Sequence, residues 1–197
     1  MKQNRENPFF ETYRTPFGTP PFDQIETEQY EPVFDEGIRQ LDEEVRAIAD
    51  NTELPTFENT IIALERSGKL LDKVISAFFN VLNAEADDEM MDISQRVSPK
   101  LSESSNNIYL NEQLFARVKS VYDRKDELHL PMEDARLLEK TFEAFCARGA
   151  ALGPEEKEKY RKLSSELSLL SLTFDQNALK DKNRYELLLT KEDELEG

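Results

Sequence analysis

Residues 55–68, PTFENTIIALERSG, open the longest uninterrupted apolar pattern in the chain. Thr56 is a favoured N-cap residue and Asn59 follows it by three positions, so a helix is expected to begin there. Apolar side chains then recur every three or four residues over residues 57–82, which places them on one face of a helix. A glycine inside a helix costs about 1 kcal/mol relative to alanine. Gly68 therefore indicates either a close approach by a neighbouring backbone or a kink.

The same spacing predicts further helices on both sides of this stretch. They cover about residues 28–50, 87–108, 111–123, 132–148 and 154–180. Pro99 predicts a bend within the helix over residues 87–108. The last helix is the longest, and its regular apolar seam predicts a buried face formed by Tyr160, Leu163, Leu167, Leu170 and Phe174. The chain is thus predicted to be all-α, a multi-helix bundle of long antiparallel helices.

An extended N-terminal arm is predicted over residues 1–24. Four prolines exclude a continuous helix from this segment, namely Pro8, Pro16, Pro20 and Pro21. The arm also carries more aromatic side chains than a free tail would, namely Phe9, Phe10, Tyr13, Phe17 and Phe22. We therefore expect the arm to lie in a groove of its own domain or of another part of a longer protein.

The C-terminal segment, residues 183–197, differs in pattern from the helical domain at 25–182. Tyr185–Leu189 predicts one short strand, and a single strand is not stable without a partner. Residues 191–197 resemble the first turns of another helix. Residues 183–197 are therefore predicted to begin a link, a strand plus a helix start, to a catalytic lobe that lies outside these 197 residues.

Composition restricts the classes of partner. Only 38% of the residues are apolar, 34% are charged, and the net charge is −16. A charge of this sign repels nucleic acid and anionic lipid. No apolar run approaches the length of a membrane span, and the N-terminus lacks the apolar core of a signal peptide. We expect no nucleic-acid partner, no membrane association and a cytoplasmic location.

Residues that could carry out catalysis are scarce. The chain has one histidine, His129, and one cysteine, Cys146. A zinc peptidase motif, H-E-x-x-H, needs two histidines on one helical face, and it is absent. Cys146 follows Phe142 and Phe145 on an apolar face, so a buried structural thiol is expected. The acidic cluster is expected to be a solvated helix surface, and it comprises Glu85, Asp87, Asp88, Glu89 and Asp92. No catalytic, cofactor-binding or metal-binding residue is assigned.

Several segments in collinear order nevertheless resemble one family. They are Asn7–Ile25, Tyr30–Ile38, Pro55–Ile61, Ser98–Glu103, Ile108–Val118 and Tyr160–Leu170. Together they resemble the N-terminal region of the zinc oligopeptidases that include bacterial peptidyl-dipeptidase, oligopeptidase A and thimet oligopeptidase, with the peptidyl-dipeptidase branch closest. Phe57 departs mildly from the pattern, since many relatives have tryptophan there.

The resemblance implies a largely helical enzyme of two lobes around a deep channel. Zinc would be held in the C-terminal lobe, and the whole enzyme would release C-terminal dipeptides from short unfolded peptides. This chain would wall the channel and pack against the catalytic lobe of the same protein, and it would be inactive alone. The rival hypothesis is a self-contained acidic helical adaptor without catalysis, which should expose little apolar surface outside its binding groove.

Overall fold

A computed structural model of the chain describes residues 7–85, 87–186 and 188. All regular secondary structure in these residues is helical, in agreement with the predicted class. The helices are α1 (Tyr30–Ala49), a π-helical segment (Phe57–Ile62), α2 (Ala63–Glu65), α3 (Lys69–Glu85), α4 (Asp88–Tyr109), α5 (Glu112–Tyr122), α6 (Met132–Ala147) and α7 (Pro154–Arg184). Short 3-10 turns at Pro8–Phe10, Pro16–Gly18, Thr27–Gln29 and Lys125–Glu127 connect or precede them.

The long helix predicted from Thr56 to Leu82 is two helices, so that prediction is wrong. Gly68 has a φ of 75°, a conformation that side chains disfavour, and it separates α2 from α3. The Gly68 amide donates a hydrogen bond to the Glu44 carboxylate on α1, at 2.7 Å. The glycine therefore marks a kink, the second of the two roles expected for it, and α1 stabilises that kink.

The first hydrophobic core lies where α1, α3 and the first half of α4 meet. Its centre is an aromatic group in which Phe34 and Phe78 are fully buried and their rings meet edge to face at 5.3 Å. A Cβ on Gly37 of α1 would lie 3.0 Å from the Leu71 Cα of α3. A side chain at position 37 would force the two backbones apart by a few tenths of an ångström, so Gly37 favours the close packing of α1 and α3.

A second core lies between the end of α1, the π-helical segment, α5 and α6. Leu114, Val118 and Val121 of α5 are fully buried in it, as is Phe145 of α6. The predicted burial of Cys146 is wrong, because the cysteine side chain is exposed next to Phe145. Ala135 is likewise exposed, in the first turn of α6.

The described part of the N-terminal arm packs onto the first core. Phe9 is buried against Tyr30, with ring centroids 5.4 Å apart. Lys73 of α3 donates to the carbonyls of Phe9 and Glu11 and lies over the Tyr13 ring, 3.7 Å from its centroid. Burial, assisted by the neighbouring Tyr30, raises the pKa of Tyr13 to about 12.

Helix α7 contradicts the predicted buried seam. Leu163, Leu167, Leu170 and Phe174 are between 62% and 71% exposed. The opposite side of α7 packs along α4, and there the contacting side chains are mainly polar. The apolar spacing thus located the helix correctly but not the face that packs inside the described structure.

The predicted strand Tyr185–Leu189 remains a prediction. Tyr185 and Glu186 follow α7 without strand pairing, and Leu187 and Leu189 lie outside the described residues. None of the helices in the described ranges has both the length and the apolar composition that crossing a bilayer requires.

Truncating one buried and one exposed side chain tests these assignments. Phe78→Ala should lower the free energy of unfolding by about 3–5 kcal/mol, because it leaves a cavity in the first core. Leu167→Ala should change it by less than about 0.5 kcal/mol, because the side chain contacts little. Urea denaturation followed by circular dichroism measures both. A loss at Leu167 equal to that at Phe78 would contradict the exposed position of the α7 seam.

Candidate functional site

Residues 55–60, PTFENT, form the junction between the loop after α1 and the π-helical segment. Thr56 accepts a hydrogen bond from the Asn59 amide, and the Asn59 side chain accepts one from the Thr56 amide, which confirms the predicted cap. The six residues that follow this cap, Phe57–Ile62, form a π-helix, a form often found at functional positions. The Asn59 side chain also donates to the Leu54 carbonyl.

Arg117 of α5 lies beneath this junction and is only 7% exposed. Its guanidinium donates to the carbonyls of Asn51 and Glu53 and to the side chains of Asn59 and Thr60, over 2.5–3.3 Å. Arg124, just after α5, donates to a further loop carbonyl, that of Pro55. Two arginines therefore tie the loop after α1 to α5.

The hydrogen bonds of Arg117 use neutral acceptors. The acceptors are carbonyl or side-chain oxygens without formal charge, and the Arg117 Nε has no partner in the described residues. A buried cation held by neutral dipoles depends on all of its hydrogen bonds. The arrangement fixes the loop and α5, and it presents no group that could accept a proton from a substrate.

A polar interface joins α4 to α7. The Gln176 amide donates to the Ser94 hydroxyl at 3.1 Å and is buried. Asn106 donates to Ser164 at 2.8 Å. Near the start of α7, the buried Lys157 donates to Glu112 at 3.0 Å. Polar side chains thus hold α7 against the bundle.

A groove of about 560 Å³ lies between the end of α3, the start of α4 and the second half of α7. Apolar side chains dominate its lining, including Phe79, Leu82, Met91 and Leu172. Two titratable side chains, Asp175 and Lys182, are among its lining residues. The groove can bury apolar surface and does not by itself define a reaction.

The residues singled out for chemistry are dispersed. His129 is exposed in the loop before α6, with a φ of 47°. Cys146 is exposed at the end of α6, and Asp87 caps α4 by accepting from the Met90 amide. Within the described ranges, no group of three or more His, Cys, Asp or Glu side chains is placed to hold a metal ion. The structure brings none of these residues together.

Sequence reasoning missed Arg117 and the reversed polarity of α7. Arg117 had no signal beyond being a charged residue between apolar positions of α5. A signal did exist for α7: only Glu166 and Asp175 are charged among the 17 residues 163–179, in a chain that is 34% charged.

No model of a protein family matches the chain. It is 42% identical over 173 residues to the dipeptidyl carboxypeptidase of Escherichia coli K12, covering 88% of this chain and 25% of that protein. Identity to the Salmonella typhimurium dipeptidyl carboxypeptidase is 39% over 173 residues, with the same coverage. Escherichia coli oligopeptidase A is 24% identical over 183 residues, 93% of this chain and 27% of that protein.

The chain is therefore related to the N-terminal region of peptidases of the oligopeptidase A family. Within that family it is more similar to the dipeptidyl carboxypeptidases, at 39–42% identity, than to the oligopeptidases A, at 22–26%. Both relationships confirm the resemblance recognised in the sequence. The chain spans about a quarter of the length of the curated relatives it matches.

Replacing Arg117 tests its role in the junction. Arg117→Met keeps much of the side chain but leaves the loop acceptors without their donor, so the free energy of unfolding should fall by about 1.5–3 kcal/mol. Amide hydrogen exchange over residues 51–62 should quicken at the same time. The matched control is Arg136→Met, which removes an exposed ion pair with Glu139 and should cost less than about 1 kcal/mol. Equal losses in the two variants would contradict the account.

Proposed function

We propose that this chain is the N-terminal helical domain of a zinc peptidyl-dipeptidase that releases C-terminal dipeptides from short peptides. The observation that carries the proposal is the 42% identity to a dipeptidyl carboxypeptidase over 88% of the chain. The lower but equally extensive similarity to oligopeptidases A supports the broader assignment to peptidases. The name of the more similar relatives favours removal of dipeptides over internal cleavage.

The residues of this chain do not fit a zinc site. Peptidase zinc is bound by histidine and carboxylate ligands, with a position left open for water. Here the single histidine, His129, is exposed on a loop and has no such group around it in the described ranges. We therefore infer that the zinc ligands and the catalytic base belong to another part of the parent enzyme, and that this chain alone is inactive.

The role proposed for this chain is to form one wall of a substrate channel. Helix α7 has 31 residues and is thus about 46 Å long, which suits a wall along a deep cleft. Rigid packing of α1, α3 and α4 would keep that wall in place. A channel of fixed width admits short unfolded peptides and excludes folded proteins. A cytoplasmic location is part of this proposal.

Peptidase assays test the proposal. The protein encoded by the full reading frame that contains this chain should release dipeptides from the C-terminus of an N-acylated tetrapeptide. A chelator should abolish release, and added zinc should restore it, because the reaction needs the metal. Chromatography and mass spectrometry of the products measure dipeptide release directly.

The 197-residue chain, given the same zinc and the same peptide, is the matched control and should release nothing. Robust, chelator-sensitive cleavage by this chain would contradict the inference that the zinc site lies elsewhere. A full-length protein that binds zinc yet leaves all such peptides intact would overturn the proposed activity.

A further inference from the structure

Helix α7 packs in the reverse of the usual orientation. A surface helix ordinarily buries its apolar side and exposes its polar side. In α7 the side chains that hydrogen-bond to the rest of the bundle include Lys157, Ser164 and Gln176, and of these Lys157 and Gln176 are buried. The leucine face, which we define as Leu163, Leu167, Leu170 and Phe174, lies on the other side of the helix and is 62–71% exposed.

The leucine face has the spacing of a helix-packing seam. Its residues are separated by four, three and four positions, the alternation of the a and d sites of a heptad repeat. Among the flanking positions, Ser171 and Thr173 are small and uncharged, whereas Glu166 is charged. Small flanks allow a second helix axis to approach to about 8–10 Å. The face is therefore shaped for one helix lying along α7.

The segments outside the described residues carry few apolar side chains that could cover the leucine face. Residues 1–6, MKQNRE, contain one, that of Met1. Residue 187 and residues 189–197 contain three, namely Leu187, Leu189 and Leu195, and these do not have the three- and four-residue spacing of the leucine face. A face of four large apolar side chains needs a partner segment with a comparable row of apolar residues.

Two observations indicate where that partner originates. The relatives are about three and a half times as long as this chain, since the 173 matched residues are 88% of this chain and 25% of the first relative. The described structure also ends just after α7, so any following polypeptide leaves from the end of the helix that carries the leucine face. A second copy of the chain is disfavoured because each copy carries a net charge of −16.

We propose that the leucine face is the docking surface for an apolar helix of the polypeptide that follows this chain in the longer protein. The proposal rests on the proposed function, because it needs that longer protein to exist. The proposal predicts that the partner helix has apolar residues at heptad spacing and few charged residues beside them. The polar side of α7 stays on α4, so α7 joins the two parts.

Thiol labelling tests this surface without relying on activity. In a Cys146→Ser background, which removes the exposed native thiol, one variant carries Leu167→Cys and the matched control carries Met132→Cys. Both positions are exposed, at 64% and 85%, so neither change should disturb folding. Each variant is made in the 197-residue chain and in the full reading frame, and its reaction with a small maleimide is timed.

In the 197-residue chain both thiols should react at similar rates. In the longer protein the thiol at position 167 should react roughly tenfold more slowly than it does in the 197-residue chain. The reaction rate of the thiol at position 132 should be the same in both lengths. Equal rates at position 167 in the two lengths would overturn the proposal. Protection at position 167 in the 197-residue chain that grows with protein concentration would also overturn it, because a second copy would then cover the face.

The peptidase assay on the same longer protein separates the two proposals. Protection at position 167 in a protein without dipeptide release would support the docking surface and count against the proposed activity. Dipeptide release without protection at position 167 would overturn the docking surface and leave the proposed activity standing.

Discussion

The close approach of α1 and α3 at Gly37 is the constraint on which the rest of the structure depends. The absence of a side chain at Gly37 lets the Leu71 backbone come within contact distance, which brings Phe34 and Phe78 together in a fully buried pair. The arm adds Phe9 to the same aromatic group, and α4 closes it from the other side. Helix α7 lies outside this aromatic group and is held to α4 by polar contacts.

Much of the fold could be predicted from sequence, because apolar periodicity reports helices directly. The boundaries of α1, α4, α5 and α6 fell within a few residues of the predicted ones. The break at Gly68 was harder to predict, since a glycine within a helical pattern is compatible with a straight helix or a kink. The positive φ of Gly68 and its hydrogen bond to Glu44 show that the helix is kinked there, and both depend on tertiary contacts.

The predicted burial of the α7 seam and of Cys146 was wrong for a different reason. Periodicity identifies an apolar face but does not say whether the covering partner lies within the same 197 residues. Leu167 and Phe174 have the spacing of core residues, yet Gln176 and Ser164 make the contacts with α4.

The size of the native protein in its source cells is the most direct test that this chain is one domain of a larger peptidase. An immunoblot with antibody against this chain would measure it. The account predicts a band of roughly three and a half times 22.8 kDa, because the matched residues are 88% of this chain and 25% of its dipeptidyl carboxypeptidase relative. A single band at 22.8 kDa would contradict it, since no zinc-binding lobe would then accompany the helices described here.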